Sequence, residues 1–156
     1  MTSIQQLLRD IDESPSGPEI TAVFDFDGTI IAGYSATVFI REQFRRGDVS
    51  PREFLEIMGA MTNFGMGNLG FSGMMAVNAQ FMRGIEEETY YEVGEQLYTR
   101  QIARRIYPES RALVNAHLSK GHTVAIISSA TPYQVAPAAE DLGIEHVLCT
   151  YLEVAN

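Results

Sequence analysis

Thr21-Ala22-Val23-Phe24-Asp25-Phe26-Asp27-Gly28-Thr29-Ile30-Ile31 is the stretch on which the reading of the whole chain turns. An apolar run from Ile20 to Phe24 ends in Asp25, and a second carboxylate, Asp27, follows two residues later. Side chains alternate along a strand, so both carboxylates point to one side wherever the strand continues. At a strand's C-terminal tip they repel each other unless a cation or a proton lies between them. Gly28 lets the chain turn away through backbone conformations that other residues resist. A bare D-x-D reads as a solvated acidic turn after a core strand. A hydrophobic strand followed by D-x-D-G-T and further apolar residues is far more specific.

The rest of the composition narrows the setting. The chain has 156 residues, 46% of them hydrophobic, enough for one modest domain with its own core. Acidic residues outnumber basic ones 20 to 11, for a net charge of −9, which argues against nucleic-acid binding through phosphate neutralisation. The imbalance is uneven: residues 1–34 and 106–156 hold 11 acids and 3 bases, whereas 35–105 hold 9 and 8. The near-neutral middle reads as a separate unit. Cys149 is the only cysteine, so no intramolecular disulfide forms, and a cytoplasmic, reducing compartment is expected. The first residues have no basic, apolar signal-like pattern, and no apolar run approaches the ~20 residues of a membrane span.

Along the chain, residues 3–12 carry apolar positions at helical spacing, and Ser14-Pro15-Ser16-Gly17-Pro18 breaks that helix before a strand at 20–26. Helices are expected at 34–46, 51–62, 72–83 and 86–105, with no strand pattern between 35 and 105. Ser50-Pro51-Arg52-Glu53 is a strong helix start, and four glycines between 65 and 73 interrupt the helical run. A helix at 109–119, a buried strand at 123–127, a helix at 132–142 and a short strand at 146–149 then follow in βαβ rhythm. No G-x-G-x-x-G follows the first strand, which disfavours a dinucleotide-binding module.

The D-x-D-G-T pattern resembles the first motif of the haloacid dehalogenase superfamily, most of whose members are Mg²⁺-dependent phosphohydrolases. Ser128, ending the second apolar strand, resembles that superfamily's second motif, and the helical insertion falls where the family places its cap. The arrangement is most similar to the phosphoserine-phosphatase-like subfamily, over residues ~20 to ~153. The resemblance implies an α/β fold: a three-layer Rossmann-like core with a parallel sheet, incomplete at its C-terminal side, and an inserted all-helical cap. Residues 1–34 and 106–156 would form the core and 35–105 the cap. It implies Asp25 as nucleophile and Asp27 as general acid/base, the roles that phosphoryl transfer through an aspartyl-phosphate requires. Mg²⁺ would be held by the Asp25 carboxylate and the Asp27 carbonyl, hard oxygen donors that suit it. N–H groups around Phe26 and Gly28 would cradle phosphate, with Thr29 supporting the loop. The Ser128 hydroxyl would take a phosphoryl oxygen, beside the helix-opening Ser129.

Two departures qualify the resemblance. The family's third motif is a Lys, and the only lysine, Lys120, precedes the strand at 123–127 and so lies at its far end. The fourth motif, an acidic pair completing the Mg²⁺ site, has no counterpart in the right context. The chain therefore reads as a fragment with weak Mg²⁺ affinity and little turnover, holding the nucleophile half of a phosphomonoester hydrolase. The competing reading is a non-catalytic regulatory or structural module of a longer chain, such as one fused to a glycerolipid acyltransferase. The second departure concerns substrate. Tyr34 stands where phosphoserine phosphatases carry a Glu that recognises the substrate's amino group, so phosphoserine itself is not the expected substrate. Phe64, Met66, Leu69, Phe71, Met74 and Met75 form an apolar set that packs the cap or faces an apolar, lipid-like phosphate ester. Arg52 and Arg83 are candidate contacts to a substrate anion, and an unpaired sheet edge would invite a second copy or a further domain. His117, His122 and His146 lack metal-ligand spacing with Cys149 and are assigned no chemistry.

Overall fold

A computed structural model describes residues 3–154, apart from the side chains of Phe71, Met74, Met75, Asn78 and Phe81. The chain is α/β, with three parallel strands: β1 (Thr21–Phe24), β2 (Thr123–Ile127) and β3 (His146–Leu148), in spatial order β1-β2-β3. Ala22 pairs with Val124 and Ile126 with Val147, which aligns the C-terminal ends of β1 and β2. Before β1 comes α1 (Ile4–Glu13), capped by Ser3, whose hydroxyl accepts the Gln6 N–H at 3.2 Å. Between β1 and β2 lie α2 (Ser35–Arg46), α3 (Pro51–Gly65), α4 (Phe71–Met82), α5 (Glu87–Leu97) and α6 (Pro108–Ser119). After β2 comes α7 (Pro132–Leu142).

The local chemistry explains most boundaries. Ser50 and Glu53 exchange the two bonds of a capping box at the start of α3, with Pro51 beside them. α2 ends at Gly47 and α7 at Gly143, both left-handed with φ of +82° and +70°. β1 is shorter than the stretch 20–26 predicts: the strand ends at Phe24, and Phe26 already belongs to the following turn. The single helix expected at 86–105 is also corrected. α5 stops at Leu97 and passes through a π-helical turn, Tyr98–Ile102, into a 3₁₀ turn, Ala103–Arg105. Bonds spanning five residues bring positions five apart onto one side, which lets both Leu97 and Ile102 reach the core.

The main core forms on one face of the sheet. Phe24, Val124 and Ile126 pack there with Val114 and Leu118 of α6 and Ala138, Ala139 and Leu142 of α7. On the opposite face Val23, Ile127 and Leu148 remain 55%, 51% and 58% exposed. A smaller cluster, Ile40, Val49 and Ile57 with Phe54 and Met61, holds α2 against α3. The two crossings between sheet and helical insertion run side by side. Ile31 bridges Ile106, the Ala32 N–H donates to the Arg105 carbonyl at 2.8 Å, and the Tyr107 N–H donates to Ile30 at 2.9 Å. α5 then lies hard against the start of α7 at Gly94, where a Cβ would fall 2.1 Å from the Tyr133 carbonyl oxygen. Together these contacts set the helices over the C-terminal end of β1. No helix among the described residues is long and apolar enough to cross a membrane.

Candidate active site

The loop after β1 is built around Phe26. Its ring is fully buried, and its carbonyl accepts the N–H groups of Thr29, Ile30 and Ile31. Gly28, at φ +79°, makes the turn that this requires. Its N–H donates to the Ile31 carbonyl at 2.9 Å, so Gly28 does not supply the cradle donor expected of it. The N–H groups of Phe26 and Asp27 engage no backbone carbonyl outside the regular elements among the described residues. Thr29 supports the loop through its main chain: its carbonyl accepts the hydroxyl of the buried Ser110 at 2.7 Å.

Asp25 is exposed and Asp27 half-buried, and both line one cavity of about 350 Å³ between the sheet end and the helical insertion. Asp27 is held on both oxygens. The Ser35 N–H donates to Oδ1 at 2.7 Å, and the Ser35 hydroxyl lies 3.1 Å from Oδ2. Ser35 is fully buried and in turn meets Gln134 of α7, whose Nε2 donates to Oγ at 3.0 Å. The Gln134 Oε1 accepts both the N–H and the hydroxyl of Thr131, at 2.7 and 2.8 Å. Those two donors settle the amide orientation, so Nε2 faces Ser35 and the serine proton is directed at Asp27. Burial pushes the Asp27 carboxyl above its usual range; the Ser35 bonds, which favour the charged form, pull it back, and the Asp25 charge adds to the rise.

Of the other expected residues, Ser129 lines the cavity with Ala130 and Thr131. Ser128 is not among the lining residues; its N–H donates to the Leu148 carbonyl and its hydroxyl accepts the Ala130 N–H at 3.1 Å. Tyr34 lines the mouth, 64% exposed. Arg52 and Arg83 are not brought there: Arg52 pairs with Glu56 on an exposed helix face, and Arg83 is an exposed residue ending α4. Phe64 lines the cavity and Met66 is exposed outside it, whereas the side chains of Phe71, Met74 and Met75 lie outside the described residues. Lys120 donates to the Asp12 carbonyl at 2.8 Å, at the opposite end of β2. Ser35, Ser110 and Gln134 were not singled out by sequence reasoning. Only Gln134 carries a local signal, as the third helical residue after the Thr131 cap in a Thr-Pro-x-Gln helix start.

The donor set fits a hard divalent cation in part. The Asp25 carboxylate and Asp27 carbonyl are oxygen donors, and Mg²⁺ commonly takes one or two carboxylates with water and phosphate oxygens completing its shell. No group of three His, Cys, Asp or Glu side chains able to hold a metal occurs among the described residues.

With this geometry in view, the comparisons place the chain. It belongs to the haloacid dehalogenase-like hydrolase family, whose sequence model matches residues 22–156. A phosphoserine phosphatase of Mycobacterium tuberculosis (strain ATCC 25618 / H37Rv) is 31% identical over 137 residues, covering 85% of this chain and 44% of the relative. The "inhibition of morphological differentiation protein" of Streptomyces azureus is 28% identical over 147 residues, covering 92% and 53%. The chain thus spans about half the length of these curated relatives. Among solved structures, a Bordetella pertussis Tohama I protein of unknown function matches with a TM-score of 0.73 at 17% identity, over 88% of this chain and 61% of that one. A phosphoserine phosphatase solved as a phospho-aspartyl intermediate analogue matches at 0.62 and 16%, over 92% and 60%. At such identities the likeness shows the fold alone.

Proposed function

We propose that this chain carries the nucleophile side of a phosphomonoester hydrolase site that works through an aspartyl-phosphate on Asp25. The observation that carries the reading is the pairing of an exposed carboxylate, Asp25, with a half-buried one of raised pKa, Asp27, on the wall of one cavity. An Asp25 oxygen attacks phosphorus while the ester oxygen departs, and Asp27 in its protonated form gives that oxygen its proton. Water then attacks the acyl-phosphate, Asp27 takes its proton, and phosphate leaves as the Asp25 carboxylate is restored. Burial favours the protonated Asp27 needed for the first step, and the Ser35 bonds support the charged form needed for the second. The Phe26 and Asp27 N–H groups, with Ser128 and Ser129 after β2, would take phosphoryl oxygens. Mg²⁺, held by the Asp25 carboxylate and the Asp27 carbonyl, would supply charge neutralisation at the phosphoryl group. With a single cysteine, the protein is expected to work in the cytoplasm.

Trapping beryllofluoride on Asp25, read by fluorine NMR, and phosphate release from p-nitrophenyl phosphate test this reading. An adduct that forms in the wild type and disappears in Asp25→Asn supports it. An adduct indifferent to that substitution, or none at all in the presence of MgCl₂, rejects it in favour of a non-catalytic module.

A further inference from the structure

The cavity that holds Asp25 and Asp27 has a second half, and its chemistry is specific. Away from the carboxylates its wall is Phe39, Ile40, Ile57, Met61, Phe64 and Met82, drawn from α2, α3 and α4. Among the described lining residues the only charged side chains are Asp25 and Asp27 themselves. A leaving group carrying a carboxylate would meet the Asp25 charge and find no Lys, Arg or His side chain among the described lining residues. One carrying an ammonium would find no third acid, and Tyr34 offers it only a phenol. Moving either charge into such a wall without a partner is strongly unfavourable. The polar side chains on the helical side, besides Tyr34, are Gln43 and Tyr90. Both are buried, and they satisfy each other, the Gln43 Nε2 donating to the Tyr90 hydroxyl at 3.0 Å. Burial pushes the Tyr90 phenol up to about 12, so this spot stays neutral.

We infer that the cavity accepts the alcohol portion of a phosphomonoester whose leaving group is an uncharged hydrocarbon chain or ring. The inference rests on the phosphatase reading above and names its substrate class. A volume of about 350 Å³ lies at the small end of ligand pockets, roughly 300–1,000 Å³, and suits a short chain or one ring system rather than a full lipid tail. Met61 and Met82 give the wall some freedom to follow different hydrocarbon shapes.

The test is a homologous series on the full 156-residue chain in MgCl₂. Isothermal titration with ethyl, butyl and hexyl phosphate, O-phosphoserine and hexanol reads affinity directly. Affinity is expected to rise by up to about fourfold per added methylene, the equivalent of ~0.8 kcal/mol. O-phosphoserine should bind no better than ethyl phosphate, and hexanol more weakly than hexyl phosphate. Met61→Asp should flatten the series and Met61→Leu should keep it, with circular dichroism confirming that each variant folds. A flat series in the wild type, or O-phosphoserine binding more tightly than hexyl phosphate, overturns the inference. Hexanol binding as well as hexyl phosphate overturns it too, because the cavity would then have no phosphate end. The beryllofluoride adduct separates the two claims: an adduct on Asp25 beside a flat series removes the substrate class and leaves the phosphatase reading standing.

Discussion

The two ends of the β-sheet each hold a network of partly buried polar groups, and they differ in where the hydrogen bonds stop. At the C-terminal end the path runs Thr131, Gln134, Ser35 and finishes on the Asp27 carboxylate, facing a cavity. At the N-terminal end His117 and His122 meet through their Nδ1 atoms at 2.9 Å, and His122 Nε2 lies 2.8 Å from the Pro15 carbonyl. A carbonyl only accepts, so His122 donates from Nε2, and its bare Nδ1 takes the proton of His117. Lys120 and Thr123 finish likewise on the carbonyls of Asp12 and Pro18. One network ends on a group that can exchange a proton with a ligand; the other ends on the backbone and ties the segment after α1 to the sheet. The polar residue types overlap, but only the first is disposed for chemistry.

Substitutions should separate the two ends. The largest effect is expected from Asp25→Asn, which removes the nucleophile: the beryllofluoride adduct should vanish and any phosphate release fall by roughly 10³-fold or more. Its thermal stability should stay within ~0.5 kcal/mol of the wild type, because the side chain is exposed. Asp27→Asn should cost roughly 10²–10⁴-fold in turnover, measured with p-nitrophenyl phosphate, while leaving adduct formation on Asp25 intact.

Ser35→Ala sharpens the contrast, since Ser35 acts through Asp27. Losing its hydroxyl removes a bond that favours the charged carboxylate, so the Asp27 pKa rises further. The alkaline limb of the pH–rate profile should move to higher pH, and stability should fall by about 1–3 kcal/mol as Gln134 loses its acceptor. A drop in stability with an unmoved pH profile would reduce Ser35 to a packing role.

At the other end, His122→Ala should cost about 1–3 kcal/mol, read as a fall in Tm, with the beryllofluoride adduct unchanged. A lost adduct would show that the two ends are coupled and break the contrast. The smallest effect is a pH dependence. Burial, and then the neighbouring His122, hold the His117 pKa below the usual 6.5. The unfolded chain therefore binds the proton more readily, so this contribution is complete above about pH 6.5 and is lost as pH falls towards the folded-state value. Thermal melts between pH 5 and 8 should show that loss, and His117→Gln should reduce it.

Much of this was legible along the chain because it is local. The D-x-D-G-T turn, the Ser50–Glu53 capping box and the αL glycines closing α2 and α7 each act within a few residues. The far position of Lys120 followed from strand direction alone. The π-helical turn after Leu97 did not, because it answers to where Ile102 must pack rather than to local propensity. Arg52 and Arg83 were plausible anion contacts by composition, yet Arg52 lies on an exposed helix face and Arg83 is exposed at the end of α4. Gly28 could be placed as a turn residue, but the spending of its N–H on Ile31 depends on how the loop closes.

The sequence by itself determined that Asp25 and Asp27 sit at the tip of a core strand, because alternation and a glycine turn are properties of adjacent residues. Only the tertiary structure decided what Asp27 is. Ser35 is eight positions away from it, and Gln134 ninety-nine from Ser35. No periodicity links such positions. They meet because the helical insertion folds back over the sheet end, and that same packing buries the carboxylate, raises its pKa and encloses the apolar half of the cavity.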